Sequence, residues 1–234
     1  HSASFAVLAY VSCWLKYYFP VEFYLGLLNS WPMGFYSPAQ LIQDAKHHGI
    51  DIRPVCINHS EIEHTLVLSQ GEKVIQLGLC IVKGLSEQSA SVLIQSRPEK
   101  GYESIAAIQQ LGLPANDIEA LASANGFAML TENRYAARWE IMDQQHTLPL
   151  FASESSQHEF PFCPSEADNL LEDYASMSVS LEQHPVSLLR KHRDLTRFIP
   201  ANNLHRIANK AVVHVIGCVT GRQAPGTASG VTFI

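Results

Sequence analysis

Four residues in succession, Lys83-Gly84-Leu85-Ser86, close one apolar run and open a helical pattern carrying Ala90, Val92, Leu93 and Ile94. A helix start leaves backbone N–H groups without intrahelical partners, so a tight turn feeding one is a ready anion site. Gly84 supplies either a backbone conformation or a close approach that a side chain would block, and Lys83 sets a cation beside the amides. The same plan recurs downstream. A helical pattern over 104–111 meets the turn Gly112-Leu113-Pro114, and a second helix over 117–124 closes at Asn125-Gly126.

The natural anion for such a pair is a nucleic-acid phosphate, because backbone amides contact phosphate without reading sequence. Two of these units side by side over 77–129 read as a tandem helix-hairpin-helix module that holds DNA by its backbone. Lys83, Gly84, Leu85, Ser86, Ser89 and Gly112 are the expected contacts. Such hairpins usually carry Gly-x-Gly, and Ser86 stands where the second glycine would be. An ordinary helical hairpin closed by a glycine is the plainer alternative for so short a motif.

The surrounding composition bounds this reading. The chain has 234 residues, 47% of them hydrophobic, enough for one large or two small globular domains. No apolar run approaches the roughly 20 residues that span a bilayer, and no basic segment leads into a signal-like apolar one. A cytoplasmic protein with no membrane partner is therefore expected. The five cysteines are scattered and form no Cys-x-x-Cys pair, which argues against a disulfide framework and against structural zinc. The net charge of -6 divides unevenly, with +5 from residue 181 onward and -11 before it. Arg190, Lys191, Arg193 and Arg222 in the basic part are further candidate DNA contacts, with a solvated basic face as the alternative.

Along the chain, Phe5, Leu8, Ala9, Ser12 and Leu15 share one helical face, and Pro20 opens a second helix through Phe23, Leu27 and Leu28. Ser37, Pro38 and Gln40 form a capping box for a third helix that ends at Gly49. A short extended piece over 50–57 precedes a hairpin, Thr65-Leu66-Val67-Leu68 and Val74-Ile75 around Gln70-Gly71. Residues 131–145 read as a supporting helix and 146–164, rich in Ser, Pro, Gln and Glu, as a linker. Ser165 opens a capped helix to about Met177, and His184-Pro185 a basic one. Val213, Val215 and Val219 alternate with His214 and Gly217 before a turn at Ala224-Pro225-Gly226-Thr227. Two strands there look like the start of a small barrel.

Metal-dependent nucleotidyl transfer needs two or three converging carboxylates, commonly an Asp-x-Asp pair, and the sequence has none. Glu61-Ile62-Glu63 and Asp117-Ile118-Glu119 have the spacing but read as surface residues. Nor is there a histidine ligand set, a Gly-x-x-x-x-Gly-Lys phosphate loop or a Gly-x-Ser-x-Gly elbow. Neither a catalytic residue nor a metal site is assigned. The start at His1 and the stop within an apolar strand suggest a piece of a longer polypeptide.

Several stretches, in order, resemble the bacterial C-family DNA polymerases, relatives of the DNA polymerase III alpha subunit. His1-Ser2-Ala3-Ser4-Phe5-Ala6 with Trp14-Leu15-Lys16, Pro20-Val21-Glu22-Phe23 and Leu27-Leu28-Asn29-Ser30 are similar to the end of the family's fingers. Gly49-Ile50 with Pro54, and Ile57-Asn58-His59-Ser60, resemble the segment that follows. Leu77-Gly78-Leu79 with Val82-Lys83-Gly84-Leu85 resembles its tandem helix-hairpin-helix. Gly217-Cys218-Val219-Thr220-Gly221-Arg222 with Pro225-Gly226-Thr227-Ala228 resembles the opening of its OB domain. The run Pro32-Met33-Gly34-Phe35-Tyr36-Ser37-Pro38 is similar to the error-prone branch, which works in damage-induced mutagenesis.

The resemblance implies a mainly α, multi-domain α+β chain: fingers over 1–76, tandem helix-hairpin-helix over 77–145, a linker over 146–164, a helical connector over 165–210 and the first OB strands over 211–234. It implies a DNA-directed DNA polymerase for translesion synthesis whose catalytic carboxylates and Mg2+ lie outside this chain. Primer–template DNA, deoxynucleoside triphosphates, mutasome accessory proteins and the sliding clamp are the partners it implies. His1, Ser2 and Ser4 would stand near the incoming nucleotide, with helix capping as the alternative role for the serines. A non-enzymatic DNA-binding module of a repair protein, or a scaffold recruiting a partner through acidic residues 131–180, satisfies the same residues without polymerase chemistry.

Overall fold

The structure is a computed structural model that describes residues 2–33, 36–145, 163–190, 195, 197–217, 219, 221–224 and 230–232. The chain divides into two compact units, residues 1–181 and 182–234.

In the first unit, α1 (Ser2–Tyr18), α2 (Pro20–Asn29) and α3 (Pro38–His47) precede a small sheet. Pro20 occupies the first turn of α2, where its missing N–H costs nothing. The capping box expected for α3 is present: the Gln40 N–H donates to the Ser37 hydroxyl, and the Ser37 N–H to the Gln40 side chain. Asp44 on α3 ties these helices together. It accepts from the Tyr24 hydroxyl and, at 2.9 Å, from Lys16 of α1. Hydrogen bonding from Tyr24, then from Lys16, holds the Asp44 carboxyl below its usual range. The apolar face expected for α1 is not covered by the described residues: Phe5 is 64% and Leu8 62% exposed.

The strands are β1 (Ile52–Arg53), β2 (Thr65–Ser69) and β3 (Glu72–Gln76). β2 and β3 form the expected hairpin, with Gln70 and Gly71 both at positive φ, as a two-residue turn of this kind requires. β1 lies parallel on the other side of β3, with Ile52 opposite Ile75. Beyond β3, Gly78 crosses the 62–63 backbone so closely that a Cβ would stand 2.3 Å from the Glu63 carbonyl carbon. Only glycine fits there. The Gly78 N–H donates to Nδ1 of buried His64 at 2.9 Å, so that nitrogen carries no proton, and burial holds the imidazole down at about 4.

A 3₁₀ turn (Leu79–Ile81) leads to α4 (Glu87–Gln95), α5 (Ile105–Gln109), α6 (Ala115–Ser123), α7 (Arg134–Gln145) and α8 (Glu166–Met177). Leu77, Leu93, Ile105, Ile108, Leu121, Phe127 and Ala137 join Tyr24, Ile42, Ile57 and Ile75 in one continuous apolar core. α7 starts later than expected because Asn133, whose side chain accepts the Tyr135 and Ala136 N–H groups, caps it. α8 has the capping box expected at Ser165 and Asp168.

The sequence assigns α8 to a connector over 165–210, yet it packs within the first unit. Buried Arg134 donates to Asp173 at 2.6 Å and to the Ser123 carbonyl at 2.8 Å, and Ser180 donates to the other Asp173 oxygen at 2.7 Å. Arg138 makes a two-pronged pair with Glu172. Most of the stretch read as a linker, 146–162, lies outside the described residues.

The second unit contains α9 (Pro185–Arg190) and a 3₁₀ turn (Ala201–Arg206). None of residues 211–217 or 219, where the first of two strands was expected, lies in a strand, nor do 230–232, the described part of the second. The backbone contact of this stretch to Ile199, whose N–H donates to the His214 carbonyl at 2.9 Å, is a single bond and not a ladder. Val212, Val215 and Val219 are exposed. The turn expected over 224–227 falls on residues of which only Ala224 is described. Among the described residues no helix is long and apolar enough to cross a membrane.

Candidate nucleic-acid interface

The first turn–helix unit runs from the 3₁₀ turn through Val82–Ser86 into α4. Gly84 has φ +85°, and a Cβ there would meet only Ala120 at an ordinary 3.6 Å, so the glycine serves backbone conformation and not close approach. The Lys83 N–H donates to the Ser176 carbonyl at 2.8 Å, and its exposed ammonium lies 3.3 Å from the Tyr174 carbonyl at the end of α8. A cation suits that helix terminus. Leu85 is turned inward against the core.

Ser86 is the N-cap of α4. Its oxygen accepts the Ser89 N–H at 3.2 Å while its hydroxyl donates to Asp117 of α6 at 2.6 Å. Burial pushes the Asp117 carboxyl up, but hydrogen bonds from the Ser86 and Ser89 side chains and the Ser86 backbone outweigh it and leave the group below its usual range. Two expectations change here. Ser89 is 3% exposed, so its side chain faces Asp117 and not a ligand at the surface. Asp117, read as a surface residue, is 6% exposed. Among the described residues, the N–H groups of Gly84, Glu87 and Gln88 have no protein partner.

The second unit joins α5 to α6. Gly112 has φ +69°, which lets the chain reverse direct after α5, and its N–H donates back to the Gln109 carbonyl at 3.1 Å. Pro114 is the N-cap of α6 and makes no side-chain cap, so the Leu113, Ala115 and Asn116 N–H groups have no protein partner among the described residues. Gly84 lies over Ala120 of α6 and Ser86 bonds Asp117, which sets the two turn–helix units side by side. The Ala115 and Asn116 amides were not among the expected contacts. The missing cap at Pro114 was the signal for them.

Arg190 ends α9 and Arg222 is exposed, both in the second unit, while Lys191 and Arg193 lie outside the described residues. His1 is also outside them, Ser2 is described only as helical backbone, and Ser4 is exposed in the first turn of α1. Among the described residues no group of three or more His, Cys, Asp or Glu side chains could hold a metal ion.

Residues 49–137, a region that contains both turn–helix units, match the family model for the helix-hairpin-helix motif. Over its whole length the chain is also 54% identical to an error-prone DNA polymerase of Vibrio vulnificus (strain CMCP6). It is 44% identical to one of Hahella chejuensis and 41% to one of Pseudomonas fluorescens (strain Pf0-1). In each case all of this chain aligns with 23% of the relative, so it spans about a quarter of their length.

Proposed function

We propose that this chain acts within an error-prone DNA polymerase, where its two hairpins hold the primer–template duplex through backbone phosphates. The observation that carries the reading is the coincidence of the helix-hairpin-helix match with two adjacent glycine turns whose helix-start amides are open. The carboxylates and Mg2+ for nucleotidyl transfer, and the sites for deoxynucleoside triphosphates, belong in this reading to the rest of the longer polypeptide. So do the contacts with mutasome accessory proteins and the sliding clamp. In the same reading His1, Ser2 and Ser4 stand near the incoming nucleotide, and Arg222 of the second unit is a further DNA contact. The working compartment is the cytoplasm.

Fluorescence anisotropy with two duplexes of unrelated sequence tests the duplex-holding role. Affinity should be weak and should fall with salt, with a slope of about -0.9 per phosphate neutralised. Lys83→Glu, confirmed as folded by its thermal transition, should weaken both duplexes alike. Unchanged binding in that variant, with loss on replacing Arg190 or Arg197, would move the contact to the basic second unit.

A further inference from the structure

We propose that α1 is an inserted helix, seated in a two-sided apolar groove of the remainder of a longer polypeptide, and that it joins the hairpin region rigidly to that remainder. The inference rests on the reading above that this chain acts within a longer polymerase, and it names the surface that docks.

α1 has 17 residues with no Asp or Glu, and its one cation, Lys16, is taken up by Asp44. Successive helical residues turn by about 100°, so Tyr17, Tyr10, Val7, Val11, Leu8 and Phe5 follow one another around an arc of about 240°. All six are exposed, Tyr17 to 78% and Tyr10 to 70%. A helix lying on a single surface needs an apolar stripe of about 100°, whereas one that is apolar nearly all round belongs in an interior. Two-fold pairing with a second copy would cover one face and leave the far side of the arc in water. A bilayer does not fit either, since among the described residues no helix is long and apolar enough to cross one. A groove with walls on both sides fits the whole arc. This chain aligns with 23% of each relative, so more than three quarters of such a polypeptide is available to form that groove.

One end of α1 is already fixed. Lys16 donates to Asp44 of α3 at 2.9 Å, and its ammonium stands 5.3 Å from the centroid of the Tyr24 ring of α2. Tyr24 belongs to the apolar core that also takes in Leu93 and Leu121 of the hairpin helices. A groove that grips the rest of α1 therefore sets the position of the hairpins through packed side chains and not through a flexible tether.

Hydroxyl-radical footprinting compares the 234-residue chain with the full-length gene product that contains it. Phe5, Leu8, Tyr10 and Tyr17 should be labelled in the chain alone and protected in the full-length protein. Leu8→Ser and Tyr10→Ser, on opposite sides of the helix, should leave the thermal transition of the chain alone unmoved, and each should lower that of the full-length protein. Labelling that persists on one side in the full-length protein, protection already present in the chain alone, or a dimer of the chain that either variant dissociates overturns the proposal. If a variant fails to accumulate at full length, the footprint of the unaltered protein decides. Duplex anisotropy on the same samples separates the two readings. Duplex binding with Phe5 and Tyr10 still labelled at full length removes only the insertion, whereas protection without salt-dependent duplex binding removes only the duplex-holding role.

Discussion

His64 accepts a backbone N–H on one ring nitrogen and lies 3.8 Å from the Cys80 sulfur on the other. Protonation would place two N–H groups against each other in a buried site. An unfolded histidine titrates near 6.5, whereas this one is held at about 4. Between those values the unfolded state binds more protons, so the contribution of His64 is complete above pH 6.5 and is lost as pH falls to 4. The loss is about 3 kcal/mol. Urea midpoints measured from pH 7 to pH 4 should fall more steeply for the native chain than for His64→Gln, which lacks this titration. Parallel curves would show that the imidazole is not held neutral by the fold.

The contact between α7 and α8 carries two ion pairs, of which Arg134–Asp173 is the more buried. Replacing Asp173 by Asn keeps the volume but strands the Arg134 charge, at a cost of about 3–5 kcal/mol. Glu172→Gln, which breaks a pair whose side chains are 24% and 25% exposed, should cost less, about 1 kcal/mol. Chemical denaturation separates the two, and equal effects would refute the distinction. Elements were readable from sequence wherever their cause is local. The caps at Ser37 and Ser165 each need a partner only three residues away, and the Gln70-Gly71 hairpin needs only its turn. What depends on distant residues was not readable. The parallel pairing of β1, the inward turn of Asp117 and the exposed face of α1 are set by which segments meet. A periodic pattern says which side chains favour burial, never what will cover them.

As a whole the chain carries two turn–helix units and no recognisable catalytic set in its sequence. The sequence lacks an Asp-x-Asp pair, so developing charge on a transferred phosphate would go unneutralised. Purified free of host polymerase and supplied with primed template, nucleotides and magnesium, it should extend no primer. Template-dependent extension would place the carboxylates within these residues. The seating of α8 has a different consequence. Residues 163–181 return to the hairpin turn, where the Lys83 amide meets Ser176, and to α7, where Arg134 meets Asp173. Cleaving the peptide within 146–162 should therefore leave two polypeptides that still co-elute at micromolar concentration and part on dilution or in high urea. Immediate separation would show that covalent continuity alone keeps them together. The tether then acts as a local reservoir, raising the effective concentration of a piece that would otherwise behave as a second subunit.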